Sequence, residues 1–203
     1  MRKFLKAVGI LSLLAAAVYI SSVLRDADQL NENILRLHVV ANSDSAEDQA
    51  VKLKVRDAVL STLEDAAAAA RSKEEAKTLL NNKLEELESA ANAVLDAQGI
   101  TDRAKVTLTQ EEFPTRVYDT FTLPAGVYDS LRITIGSGEG HNWWCVVFPS
   151  LCVPAATEGV ADTAASAGFS DSLSGAITGE PGYEVRFFLL DCLGRLENFF
   201  RKG

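Results

Sequence analysis

The sequence predicts an α+β fold preceded by a membrane-directed helix. An apolar run follows basic residues at the N-terminus, two long segments of the first half have helical periodicity, and alternating segments typical of strands cluster in the second half. This order differs from the regular alternation of a doubly wound sheet. We therefore predict a signal or anchor helix, one strand, a helical hairpin, a sheet rich in antiparallel hairpins and a C-terminal amphipathic helix.

The N-terminal segment has the pattern of an export signal. Three basic residues precede an apolar run from Ala7 to Ile20. A membrane-spanning helix needs about 20 apolar residues, and extending the run to Leu24 provides them. Residues 1–25 are therefore predicted as a cleaved signal peptide or a retained membrane anchor. The polar residues 26–33 are predicted as a linker to the folded part.

The first half of the folded part is predicted as a strand and two helices. "LRLHVV", beginning at Leu35, alternates as a strand does and ends in an Asn-Ser-Asp-Ser cluster suited to helix caps. Either Asp44 with Glu47 or Ser45 with Asp48 forms a start that resembles a capping box, and one helix is expected from about Ala46 to Ala70. A second is expected from Ser72, where "SKEE" forms its cap, to about residue 97, completing the helical hairpin.

The second half is predicted as strands, an insert and a final helix. "KVTLTQEEF" and "TRVYDTFTLP" alternate, and "SLRITIG" and "WWCVVF" flank a glycine-rich turn, which predicts a strand pair. Residues 154–182 are rich in Ala, Ser, Thr and Gly without periodicity, as in a flexible insert. Residues 183–203 form an amphipathic helix that either docks against the domain or lies on a membrane surface.

Composition excludes several functional classes. The chain has 203 residues and a net charge of −8, which argues against nucleic acid because phosphate binding needs clustered Lys and Arg. Its two His and three Cys lack the spacing of a zinc site, and no C-x-x-C pair occurs. We expect no metal and no cofactor.

A polar cluster surrounds the predicted strand-to-helix corner. Arg36 and His38 share one strand face and are expected to project towards Asn42, Asp44 and the helix N-terminus, where Arg36 would pair with Asp44 or Asp48 and His38 would donate to a turn carbonyl. Two interpretations remain open. The cluster is either a satisfied network that fixes the corner or a recognition site for a peptide or an anion.

The segment "GEGHNWWCVVFPSLC" combines aromatic residues with two of the three cysteines. Trp143 and Trp144 must point to opposite faces of a strand, so one can fill the core while the other forms a binding hot spot. Burial of Cys145 in this apolar strand would raise the pKa of its thiol, which argues against a nucleophile. Cys145 and Cys152 are either a disulfide across a tight turn or two buried thiols.

Three segments resemble the stage II sporulation protein R family: residues 35–60, 113–136 and 138–152. Residues 34–153 are accordingly predicted to form a domain of that kind. The resemblance implies a protein that is secreted from the forespore into the space between forespore and mother cell, either released or membrane-anchored, and that is not an enzyme. There it would trigger a membrane-embedded aspartic protease that processes the sigma-E precursor during endospore formation.

The resemblance also carries candidate residues for binding this protease. The motif positions that match are Arg36, His38, Asn42, Ser43, Asp44, Asp48, Asn142, Trp143, Trp144, Cys145 and Cys152, and all but Ser43 and the cysteines are predicted to bind the partner. Two other functions compete. One is a secreted cysteine-dependent hydrolase of cell-wall peptides, with Cys145 and His38 or His141; the other is a cell-wall binding module that uses an exposed Trp.

Overall fold

A computed structural model of the chain describes residues 1–149 and 168–201. It confirms the predicted α+β class, with an N-terminal apolar helix, a mixed sheet and a C-terminal helix. The elements in chain order are α1 (Arg2–Asn33), β1 (Leu35–Val40), α2 (Ala46–Ala69), α3 (Lys73–Asn81), α4 (Leu84–Ala97), β2 (Ala104–Phe113), β3 (Arg116–Val117), β4 (Thr122–Leu123), β5 (Gly126–Ile135), β6 (Asn142–Phe148), α5 (Asp171–Thr178) and α6 (Glu184–Arg201).

The main sheet has the strand order β2-β5-β1-β6. β1 is parallel to β5 and antiparallel to β6, and β2 is antiparallel to β5, whereas β3 and β4 form a separate small ribbon. The predicted pairing of "SLRITIG" with "WWCVVF" is wrong because β1 lies between them. All six residues of β1 are buried, and a strand that is buried on both faces belongs in the middle of a sheet.

Helices α2, α3 and α4 cover one face of the sheet. Of the two predicted starts of α2, the one at Ser45 is confirmed, because the Ser45 hydroxyl accepts from the Asp48 N–H at 3.1 Å. The predicted cap of α3 is also confirmed, since the Ser72 hydroxyl accepts from the Glu75 N–H at 3.2 Å. The second predicted helix is divided at Asn82 into α3 and α4. The core beneath these helices includes Leu37, Val39, Val55, Val59, Leu80, Leu87, Leu95, Leu131, Ile133 and Cys145.

The end of α1 packs against the other face of the sheet. Residues 26–33, predicted as a linker, are helical, and Val23, Asp26 and Leu30 form a buried stripe at helical spacing. The apolar residues before this stripe are exposed. Within the described residues, α1 is the one helix long and apolar enough to cross a membrane, which is compatible with either a signal or an anchor.

Helices α5 and α6 complete this second layer. The predicted insert, residues 154–182, lies outside the described residues as far as 167, but its last part contains α5, whose Leu173 and Ile177 are buried. A flexible assignment for that part is therefore wrong. The predicted amphipathic helix is confirmed as α6. It docks closely: a Cβ on Gly194 would lie 1.6 Å from the Ala125 carbonyl oxygen, so this contact requires glycine.

Candidate functional site

The second face of the sheet is open at one end, where it forms an open groove of about 720 Å³. We call this the polar groove. The strand register brings the residues of its floor together. His38 on β1 lies between Arg132 on β5 and Trp144 on β6. The lining residues are His38, Thr107, Leu108, Thr109, Gln110, Glu111, Glu112, Arg132, Asn142, Trp144 and Arg201.

His38 is the centre of the polar groove. Its Nδ1 lies 2.8 Å from Glu111 Oε2, and its Nε2 lies 2.8 Å from Asn142 Oδ1. The imidazole stacks on the Trp144 ring, with 5.6 Å between ring centroids and 20° between planes. These contacts leave the ring one orientation, so the structure presents His38, Asn142 and Trp144 as a preorganised unit. The predicted bond from His38 to a turn carbonyl is replaced by these side-chain contacts.

Glu111 joins two of the groove's basic side chains, His38 and Arg132. Burial raises the pKa of its carboxyl, but the hydrogen bonds and charge of His38 and the bond from Arg132 act against burial and hold the pKa below its ordinary value. Arg132 Nη1 donates to Glu111 Oε2 at 2.5 Å and keeps about a third of its side chain exposed. Glu111 therefore stays ionised and holds the His38 ring and the Arg132 guanidinium in place.

Arg36, a predicted partner-binding residue, lies in the interior instead of the polar groove. Its side chain is fully buried, with the guanidinium carbon 4.0 Å from the Phe113 ring centroid and 5.1 Å from that of Tyr128. Its Nη2 donates to the Tyr118 hydroxyl at 2.6 Å. The expected ion pair with Asp44 or Asp48 is wrong, because Arg36 lies near the start of β1 and both carboxylates follow its end.

Asn42 and Asp48 build the corner between β1 and α2. Asp48 Oδ2 accepts from Ser43 Oγ at 2.5 Å and from Asn42 Nδ2 at 3.2 Å, and Asn42 Oδ1 accepts from the Ser137 N–H at 2.9 Å. The Ser43 bond is the main cause of the lowered pKa of Asp48. A Cβ on Gly136 would lie 2.3 Å from Asn42 Oδ1, so the turn needs glycine here. These contacts form the network that fixes the corner.

Asp44 lies on the outer side of the same corner. Its carboxylate accepts from the backbone N–H of His141 at 2.6 Å and also binds the His141 ring, and this side-chain bond is the main cause of the lowered pKa of Asp44. Both side chains are exposed. The pair is accessible, but it lies outside the set of residues that line the polar groove.

The two tryptophans occupy opposite faces of β6, as predicted. Trp144 faces the polar groove, with the Arg116 guanidinium carbon 3.4 Å from its ring centroid. Trp143 faces the helix side and is 37% exposed, with the Arg56 guanidinium carbon at 4.3 Å. Each ring is therefore held by an arginine, and Trp143 is the more exposed of the two.

Cys145 is separated from the histidines. It is opposite Leu37 in the sheet and belongs to the helix-side core, whereas His38 faces the polar groove. His141 binds Asp44 beyond the strand end. The pairing of Cys145 with His38 in a hydrolase is therefore wrong, because the pleat directs the two side chains to opposite faces. Cys152 lies outside the described residues, and its disulfide with Cys145 stays a prediction.

Sequence reasoning missed Glu111, Arg116, Arg132 and Arg201. The alternation of "KVTLTQEEF" places Glu111 on one strand face, but only the strand order brings that face beside His38. Within residues 1–149 and 168–201, no group of three or more His, Cys, Asp or Glu side chains is arranged to hold a metal ion. The groove's chemistry is thus that of hydrogen bonds, charge and aromatic stacking.

The fold and the polar groove together describe an α+β domain that continues directly from an N-terminal helix long and apolar enough to cross a membrane. The stage II sporulation protein R family model matches residues 31–158, and the chain belongs to this family. The family is a sporulation family, and its description names no enzymatic activity. Stage II sporulation protein R of Bacillus subtilis (strain 168) is 33% identical over 183 residues, which cover 81% of this chain and 82% of that protein. No solved structure matches.

Proposed function

We propose that this chain is an exported signalling protein that activates a membrane-embedded aspartic protease, which in turn processes the sigma-E precursor during endospore formation. Membership of a sporulation family supports this function, and the N-terminal helix supports export. The chain acts in the space between forespore and mother cell, either anchored by α1 or released from it.

The polar groove is the observation that carries the proposal. Recognition needs side chains that are held in position before the partner arrives, because ordering them on binding costs free energy. His38, Glu111 and Asn142 are fixed by one another, and Trp144 adds an aromatic surface that is suited to a hot spot. We therefore assign the groove as the surface that contacts the protease.

Activation follows from a difference in affinity. A ligand shifts an equilibrium between inactive and active protease only if it binds the active form more tightly. Moving the protease from 1% to 99% active needs about a 10⁴-fold preference. The rigid groove on a four-stranded sheet suits this function, because it selects one arrangement of the partner and does not adapt to both.

The test is co-expression of this chain, the protease and the sigma-E precursor, with precursor conversion as the readout. Conversion should depend on this chain, and equal conversion without it would show that the proposal is wrong. Arg132→Gln should reduce conversion about 10- to 150-fold, since a lost charged contact costs about 1.5–3 kcal/mol. Arg103→Gln is the matched control, because Arg103 forms an exposed pair with Asp96 and does not line the groove. It should stay within about twofold of wild type.

A further inference from the structure

Strand β2 is at the edge of the sheet, and neighbouring helices cap both of its ends. At the start, Asn92 Oδ1 accepts from the Ala104 N–H at 2.9 Å and Glu88 Oε2 accepts from the Val106 N–H at 3.0 Å. At the other end, Arg201 Nη2 donates to the Gln110 carbonyl at 3.4 Å. These bonds identify the outward-facing backbone groups of β2, which belong to the even-numbered residues.

The middle of this edge is uncapped. Within the part of the chain that the structure describes, no group accepts from the N–H of Leu108 or Gln110 or donates to the carbonyl of Val106 or Leu108. Thr109 and Gln110 are exposed, and the polar groove runs beside them. An uncapped strand edge is a template for another strand, and native proteins normally protect it. In the described part of the chain, such capping bonds are absent where the middle of β2 borders the polar groove.

We propose that an extended segment of the protease adds to the sheet as a fifth strand beside Leu108 and Gln110. This inference rests on the proposed function and names the way in which the partner is bound. Four backbone groups of β2 would provide the hydrogen bonds, and every second side chain of the added strand would enter the polar groove. The strand edge would thus bind the backbone of the partner segment, and the polar groove would select its side chains.

The charge of the polar groove indicates which side chains of the added strand would enter it. His38, Arg132 and Arg201 line the groove, and Glu111 already binds the first two. Arg201 is exposed, and the bond that it forms is a long one to a backbone carbonyl. An acidic side chain on the added strand would meet the guanidinium groups of Arg132 and Arg201 without displacing Glu111. The partner segment is therefore an extended peptide with a carboxylate that faces the groove.

Proline substitution tests the backbone groups directly. Gln110→Pro and Leu108→Pro each remove one outward N–H and leave the bonds between β2 and β5 in place. In the co-expression assay both should lower precursor conversion at least tenfold. Gln110→Ala is the matched comparison: it removes the same exposed side chain but keeps the N–H, so its conversion should lie well above that of Gln110→Pro. Equal conversion by the two variants would assign the loss to the side chain and overturn the role of the N–H.

Wild-type conversion by a folded Gln110→Pro chain would overturn strand addition and leave the proposed function intact, since wild type still activates. If the proline variants do not fold, hydrogen exchange measured on the wild-type chain tests strand addition instead. Mixed with detergent-solubilised protease, the Leu108 and Gln110 amides should exchange at least tenfold more slowly than in the free chain. Unchanged exchange in a complex that forms would overturn the inference.

Discussion

At the scale of single residues, Glu111 holds the side chains of the polar groove in position. One carboxylate oxygen contacts both His38 Nδ1 and Arg132 Nη1, so a single charged group holds both side chains in position. Because the folded-state pKa of Glu111 lies below its ordinary value, its ionised form stabilises the fold. This contribution is complete above the ordinary value of 4.5 and is lost as pH falls through the lower folded-state pKa.

Glu111→Gln should therefore destabilise the fold in a way that depends on pH. Near pH 7 we expect a loss of about 1–3 kcal/mol in the free energy of unfolding, because two hydrogen bonds lose their charge. At about pH 3 wild type loses part of the same contribution, and the difference should shrink. Urea unfolding followed by circular dichroism measures it. Glu139→Gln, at an exposed turn position, should show no such trend, and an equal loss at both pH values would contradict the prediction.

At the scale of secondary-structure elements, the contact between α1 and α6 joins the two ends of the chain. Arg186, in the first turn of α6, binds Asp26 and donates to Ser22 Oγ at 2.8 Å. Both partners of the Arg186–Asp26 ion pair are buried. Such a pair fixes where the helices meet, because removing one partner leaves the other charged and unpaired inside the protein.

Asp26→Asn should lower the free energy of unfolding by about 3–5 kcal/mol. The double variant Asp26→Leu with Arg186→Met should recover most of this loss, because it leaves no unpaired charge. Thermal unfolding in detergent micelles compares them. Asp96→Asn, which breaks the exposed pair with Arg103, is the control and should cost about 0–1 kcal/mol. Equal losses for Asp26→Asn and Asp96→Asn would show that the buried pair contributes no more to the free energy of unfolding than the exposed pair does.

Local signals in the sequence were sufficient for the caps at Ser45 and Ser72, since their hydrogen bonds span three positions. They were insufficient for Asp26, which looked like linker because its partner Arg186 is 160 positions away. His38 and Glu111 are likewise 73 positions apart. Strand alternation fixed the faces of Trp143 and Trp144, but the insertion of β1 between β5 and β6 depends on the whole sheet.

At the scale of the whole molecule, α1 serves two purposes. Its exposed apolar part suits a membrane, and its last third supplies Val23 and Leu30 to the core. Residues 22–33 are thus part of the folded domain, whatever happens to the residues before them. Cleavage near Ala15–Ala17 would leave this packed part in place, whereas cleavage beyond Ser22 would remove contacts that the fold uses.

Two truncations should separate these parts. Removing residues 2–21 should leave a domain that unfolds cooperatively, whereas removing residues 2–33 should cost about 3–6 kcal/mol, since burying each of two large apolar side chains contributes about 1.5–3 kcal/mol. The longer truncation also leaves Arg186 without Asp26. Thermal unfolding by circular dichroism measures both chains. Equal melting temperatures would show that the end of α1 contributes nothing to the domain.

The unbroken course of α1 into the domain also limits how far the proposed signal could travel. At 1.5 Å per residue, residues 22–33 rise about 18 Å, so an anchored chain would hold its groove in a thin layer next to the bilayer. Search for a partner in the same membrane would then be confined to two dimensions, which raises its effective concentration. A cleaved chain would instead diffuse through the whole compartment. Retention or cleavage of one helix would thus decide whether the proposed signal stays at one membrane or spreads through the compartment.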